Sequence, residues 1–202
     1  MELSTPPLEG QHVRLEPVQP HMREELRAAL DCDPEAWAIQ FANGRGDDFP
    51  DYWSAMVTPS PPGSRIGFGV RLGSTGQLVG TTSFHHISSA NRTVEIGSTF
   101  YRPEMRGTAV NPEAKLLLLA HAFSRGALRV QLTVDSRNEH SQAAVQKLGA
   151  MREGVLRHHL ITWTGHLRDT VIFSIIHTDW PEVRERLRGR LQSTESAKTT
   201  RL

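Results

Sequence analysis

A single cysteine, Cys32, occurs in the 202 residues. An intramolecular disulfide is therefore excluded, and a reducing compartment suits the chain. An excess of either charge is nearly absent: 23 Lys and Arg stand against 22 Asp and Glu, for a formal net charge of +1. That balance gives no reason to invoke nucleic acid or an acidic membrane as a partner. No apolar run approaches the length that spans a bilayer, and no charged-then-apolar leader precedes the first predicted element. The expected location is cytoplasmic. Internal repeats and low-complexity blocks are missing, and no spacing matches a zinc site, so no metal is expected. Aromatic residues are scarce at 6%, and only two are tyrosines, Tyr52 and Tyr101.

Apolar residues at 38% and charged residues at 22% suit one globular domain. Residues 1–11 are expected to be loose and 192–202 to be a disordered tail, leaving 12–191 as the domain. Hydrophobic periodicity predicts a strand over 12–18 and a helix over 20–32. Shorter helices follow over 34–41 and 51–57, then a breaker cluster at 59–64. Strands are predicted at 65–72, 77–86 and 93–101, the first two joined by a hairpin turn. A helix over 113–124, a strand over 128–134 and a helix over 141–148 come next. Strands over 151–162 and 166–176 and a helix over 179–191 complete the chain. The order implies an α/β fold with a mixed, largely antiparallel seven-stranded sheet and flanking helices. The strands on either side of the 113–124 helix are expected to be parallel, because a helix crosses between them.

One stretch organises the rest: Tyr101-Arg-Pro-Glu-Met-Arg-Gly-Thr-Ala-Val-Asn-Pro-Glu-Ala-Lys115. Before it, alternation places Val94, Ile96 and Phe100 on one strand face. After it, the helix is expected to begin at Asn111, a strong N-cap, with Pro112 at the first helical position. The unbonded N–H groups of the turn and helix start point out of the strand end, which makes an anion site. Arg106 adds a fixed positive charge able to hold a phosphate through paired bonds. An ordinary strand–turn–helix junction can look the same, and the residues downstream decide between them.

Those residues are Ile96-Gly97, the run from Arg106 to Lys115, Asn138 with Ser141, and Lys-Leu-Gly-Ala at 147–150. Glu-Gly-Val-Leu-Arg at 153–157 and Arg-Asp-Thr at 168–170 follow. As an ordered set they resemble the GNAT superfamily of N-acetyltransferases. Within it they resemble the Rim-type branch, which acts on N-termini of ribosomal proteins. The resemblance runs from Val13 to Leu191. It implies acetyl-coenzyme A as donor co-substrate and a primary amine as acceptor, either a protein N-terminus or a small molecule such as a polyamine, an amino acid or an amine antibiotic. It also implies a central strand pair that splays apart. The backbone of Gly107, Thr108, Ala109, Val110 and Asn111 would then hold the pyrophosphate, beside Arg106. This sequence departs from the family pattern at Ala109 and Asn111, where Gly, or Gly and Ala, are common. Phe100 and Tyr101 would offer backbone groups to the pantetheine arm, Asn138 would hold its amides, and Ser141 would approach the thiol. Asn138 also reads as a helix cap.

Attack of an amine on a thioester needs a proton acceptor and a donor to the leaving thiolate. Many family members use a tyrosine as the acid. Neither tyrosine here lies in the Ser141 helix, so Ser141 is the candidate acid. Glu95 is the candidate base; a solvated strand carboxylate is its other reading. His85, His86, His158 and His159 are rivals, since histidine titrates near neutrality. Adjacent histidines on a strand are expected to face opposite ways. Trp37, Phe41, Phe49, Trp53 and Trp163 are candidates for the acceptor groove or for the core. Other readings stay open: a donor with a longer acyl chain such as succinyl-coenzyme A, a catalytically silent coenzyme A-binding module, and a homodimer.

Overall fold

The computed structural model describes residues 1–3, 6–59 and 63–199, with side chains through 193. The first strands are β1 (Leu8–Glu9), β2 (Val13–Pro17), β3 (Arg65–Leu72) and β4 (Leu78–Ser88). The others are β5 (Thr93–Tyr101), β6 (Arg129–Asp135), β7 (Met151–Ile161) and β8 (Leu167–Ile176). Between β2 and β3 lie α1 (Arg23–Leu30), α2 (Pro34–Ala38) and α3 (Phe49–Val57). The later helices are α4 (Val110–Ser124), α5 (Glu139–Leu148) and α6 (Trp180–Thr199). The strands form one sheet in the order β1-β2-β3-β4-β5-β6-β8-β7. Neighbours are antiparallel except β5 and β6, which run parallel because α4 carries the chain across between them. Among the described residues no helix is long and apolar enough to cross a membrane.

All seven expected strands form, and β1 makes the sheet eight-stranded. It lies in the segment expected to be loose, whose first residue is also tied down: Ser89 Oγ donates to the Met1 carbonyl at 2.6 Å. The tail differs too. α6 continues to Thr199, because residues 192–199 contain no Gly or Pro to stop it. Residues 60–62 of the expected breaker cluster, residues 4–5, and 200–202 lie outside the described residues.

Apolar clusters cover both faces of the sheet. Leu118, Leu119, Phe173 and Ile175 belong to the one beneath α4 and α6. Leu26, Leu30, Trp37 and Phe49 belong to the one beneath α1, α2 and α3. Phe100 corrects the sequence reading, which set it beside Val94 and Ile96. It packs in the second cluster, stacked on Trp37 with ring centroids 4.3 Å apart, while Tyr101 packs in the first. A bulge in β5 is the reason. Ser98 and Thr99 stand opposite Thr82 alone, because Thr81 pairs with Phe100 and Ser83 with Gly97. One extra residue inverts which face each later side chain meets.

α4 is fixed to the N-terminal strands by Glu113. Its carboxylate is 5% exposed and accepts the N–H groups of Gln11, His12 and Val13 at 2.9, 2.6 and 2.6 Å. Gly10 makes room for it, since a Cβ there would stand 2.6 Å from the carboxyl group. A buried carboxylate with three donors stabilises the fold; its removal leaves those donors unpaired. Glu113→Ala is expected to lower stability by about 3 kcal/mol, read as a lower urea midpoint with an unchanged slope.

Candidate active site

β5 and β6 pair at only three positions: Thr93 with Arg129, Val94 with Val130, and Glu95 with Gln131. Past Glu95 the strands diverge. The bulge bends β5 there, and Ser98 takes a φ of +46°. The edges of 96–101 and 132–135 that would face each other therefore have no ladder partners among the described residues. Between them opens a cavity of about 610 Å³.

Most of the residues singled out in the sequence meet in this cavity. Phe100 and Tyr101 line it from β5, Arg106, Gly107 and Asn111 from the turn and the start of α4, and Asn138 and Ser141 from the start of α5. Thr108, Ala109 and Val110 build the turn behind that wall, with Ala109 and Val110 each 4% exposed. The helix starts two residues earlier than predicted: Ala109, not Asn111, is its N-cap, and Val110, not Pro112, its first residue. Asn111 and Pro112 thus sit inside the first turn, where a missing N–H costs nothing. Thr108 Oγ1 takes the Val110 N–H at 3.3 Å. The departure at Ala109 is harmless to the backbone: its angles are helical (φ −68°, ψ −14°), and the positive φ of +73° falls on Gly107. Asn138 caps α5, its Oδ1 accepting the Ser141 N–H at 2.9 Å.

Arg106 is not a free cation. It forms an ion pair with Asp33, whose Oδ1 also accepts the Ala36 N–H at the start of α2. Burial alone would raise the Asp33 pKa; the Ala36 N–H and the Arg106 guanidinium outweigh it and lower the value. An anion at the turn would compete with Asp33 for Arg106.

The same cavity holds a group to which the sequence reading gave no role. Lys115 is 6% exposed and donates to Thr99 Oγ1 at 2.7 Å, and Thr99 in turn bonds Thr82 at 2.8 Å. Burial pushes its amine down to about 7. The signal was present: Lys115 follows Asn111 by one helical turn and directly precedes the apolar run Leu116–Ala120. The Tyr101 hydroxyl is enclosed without a hydrogen bond among the described residues, and burial pushes its pKa up.

Glu95 lies in a second cavity of about 260 Å³. Its Oε1 accepts from Thr133 Oγ1 at 2.7 Å and its Oε2 from Gln131 at 3.2 Å. His85, His86 and His159 line the same space. The opposite-face expectation for His85 and His86 fails, because His86 has a φ of +48° at a register shift in β4. His85 bonds Ser98 Oγ through Nε2 at 2.9 Å; burial, then Arg65 and His86, push its pKa down to about 3. His158 lies outside this lining, with its N–H on Asp169 Oδ1 at 2.7 Å. Of the five aromatics, Trp37, Phe49 and Trp53 are core. Phe41 lines the second cavity, and Trp163 docks the β7–β8 turn through its Nε1 on the Trp37 carbonyl at 2.9 Å. Gln40, Gly97, Ser98, Thr133 and Arg168 line both cavities, so the two meet there.

The profile of the Acetyltransferase (GNAT) domain matches residues 12–151. The uncharacterized N-acetyltransferase YoaA of Bacillus subtilis (strain 168) is 31% identical over 112 residues, spanning 55% of this chain and 62% of that protein's length. A GCN5-related N-acetyltransferase from Brucella melitensis superposes with a TM-score of 0.85 at 25% identity, over 93% of this chain and 86% of the other. RimJ of Mycobacterium smegmatis, solved in complex with CoA-disulfide, shares the fold at 22% identity, with a TM-score of 0.76 over 92% of this chain and 93% of the other. The domain match covers well over half of the residues, and the chain belongs to the acetyltransferase (GNAT) family.

Proposed function

We propose that the protein transfers an acetyl group from acetyl-coenzyme A to a primary amine. The observation that carries this reading is the splay of β5 from β6, which opens one cavity toward the α4 turn and meets a second cavity at Gly97, Ser98 and Thr133. A two-substrate transfer needs such a pair of adjoining sites. Family membership supports the donor, and the RimJ structure of the same fold holds a coenzyme A disulfide.

The pyrophosphate would take N–H groups of the turn between Gly107 and Asn111, where the Thr108 and Val110 N–H groups make only long bonds of 3.4 and 3.3 Å, with the positive end of α4 behind them. Arg106 would exchange Asp33 for phosphate. The pantetheine arm would complete the unpaired edge at Phe100 and Tyr101, with Asn138 near its amides. The acceptor end, of a polypeptide or of a small molecule, would enter the second cavity.

The amine nitrogen attacks the thioester carbonyl carbon. A C–N bond forms, the C–S bond breaks, and coenzyme A leaves as a thiolate. Glu95 is the proton acceptor, directly or through one water, and Thr133 and Gln131 hold its carboxylate in place. His85 is less available for this role, because its Nε2 is bonded to Ser98 Oγ and burial disfavours its charged form. Ser141, at the start of α5, donates to the sulfur as negative charge grows there.

Two measurements test this reading. Arg106→Ala is expected to weaken coenzyme A binding about tenfold by calorimetry, whereas Asp33→Asn leaves it no weaker. Unchanged affinity in Arg106→Ala would remove the phosphate site from this turn. For Glu95→Gln, turnover at neutral pH is expected to fall about a hundredfold. It should largely recover above the pKa of the acceptor amine, where no proton has to be removed before attack. A variant equally slow at every pH would deny Glu95 the base role.

A further inference from the structure

Arg168, at the start of β8, is a buried cation whose two neighbouring carboxylates, Asp135 and Glu95, are both bonded to other groups. Its side chain is 7% exposed, and its Nε makes no hydrogen bond among the described residues. The nearby Asp135 carboxylate stands 4.0 Å from that nitrogen and is already committed. Its Oδ1 accepts the backbone N–H and Nε of Arg137 at 2.9 and 3.0 Å, and its Oδ2 accepts Arg137 Nη2 at 2.8 Å. Glu95, which also acts on Arg168, is held by Thr133 and Gln131. Burial depresses the Arg168 pKa, and the two carboxylates oppose that shift. A guanidinium nevertheless stays charged in a protein.

Burying a charge without full pairing costs free energy, as does enclosing an unmade donor. Such a group at a site wall points to a ligand that completes it. Arg168 lines both cavities, so it faces the place where donor and acceptor meet. The α4 turn that suits phosphate contributes Arg106, Gly107 and Asn111 to the larger cavity alone, whereas Arg168 lines the second cavity as well. A planar guanidinium matches the two oxygens of a carboxylate through parallel N–H···O bonds.

We propose that Arg168 is a specificity residue that binds a carboxylate carried by one of the two substrates at the junction of the cavities. This rests on the transfer reaction proposed above. The acceptor is the favoured source. Glu95 shares the second cavity with Arg168, and a carboxylate and a cation lining one space complement an amine that carries its own carboxylate. Amino acids and peptides with an acidic first residue have that chemistry. A dicarboxylic acyl donor, with its free carboxylate past the thioester, has it as well.

The test uses purified full-length protein and thiol release from coenzyme A esters. Amino acids are compared with their amides, and Asp- or Glu-first peptides with Asn- or Gln-first ones, using acetyl-coenzyme A. Succinyl-coenzyme A is compared with acetyl-coenzyme A on one neutral amine. The wild type is expected to prefer the carboxylate-bearing member of one pair by about tenfold or more in kcat/KM. The pair that shows the preference identifies the source. Arg168→Met should bring that ratio close to one through a higher KM for the charged member, leaving the neutral member nearly unchanged. Arg168→Lys should restore part of it. Equal rates across every wild-type pair, or equal loss on both members in Arg168→Met with an unchanged melting temperature, would overturn the assignment. If no pair turns over, the transfer reaction itself is wrong. Carboxylate binding is then read alone, by calorimetry of glutamate and of its diamide against coenzyme A-saturated protein. Equal affinity for the two, or an Arg168→Met variant that still prefers glutamate, would also overturn it.

Discussion

Everything at the candidate site depends on the place where β5 and β6 stop pairing. Three rungs tie them together, and past Glu95 the bulge at Ser98 turns β5 away. Unpaired backbone edges cost free energy when buried, so they persist only where water or a ligand reaches them. The same bulge decides the contents of both faces. It sends Phe100 to the Trp37 cluster and turns Thr99 toward Lys115. One inserted residue thus opens the cavity, stocks its wall and seats α2 against the sheet.

Three buried charges near the site, Glu113, Lys115 and Arg168, are paired in different ways. Glu113 is saturated by three backbone donors and fixes α4 to the N-terminal strands. Lys115 and Arg168 are incompletely matched, and both lie on the wall of the large cavity. A fully paired buried ion serves structure, while an underpaired one on a cavity wall is a candidate for function. The Asp33–Arg106 pair lies between these cases. It connects the helical segment after β2 to the α4 turn and would have to yield when phosphate arrives.

Much of this was legible in the sequence because it rests on local patterns. Alternation gave β3 and β5 their bounds, and the order of elements gave the mixed sheet and its parallel pair. The ordered motifs gave the family. Less legible were features set by a single backbone angle or a distant partner. Alternation has no term for a bulge, so Phe100 was placed on the wrong face and His85 and His86 were set apart. Residues 102 positions apart in sequence bring Gln11 to Glu113, and no local signal announces such a bond. Arg168 was quoted as part of a motif, but its burial between two cavities depends on β8 lying beside β6.

The most direct test of the central claim is a crystal structure of the protein with bound coenzyme A. The pantetheine arm should lie between β5 and β6, bonded to the open edge at Phe100 and Tyr101. The pyrophosphate should sit on the N–H groups between Gly107 and Asn111, with Arg106 released from Asp33. Coenzyme A bound elsewhere, or strands that close and pair past Glu95 when it binds, would contradict it.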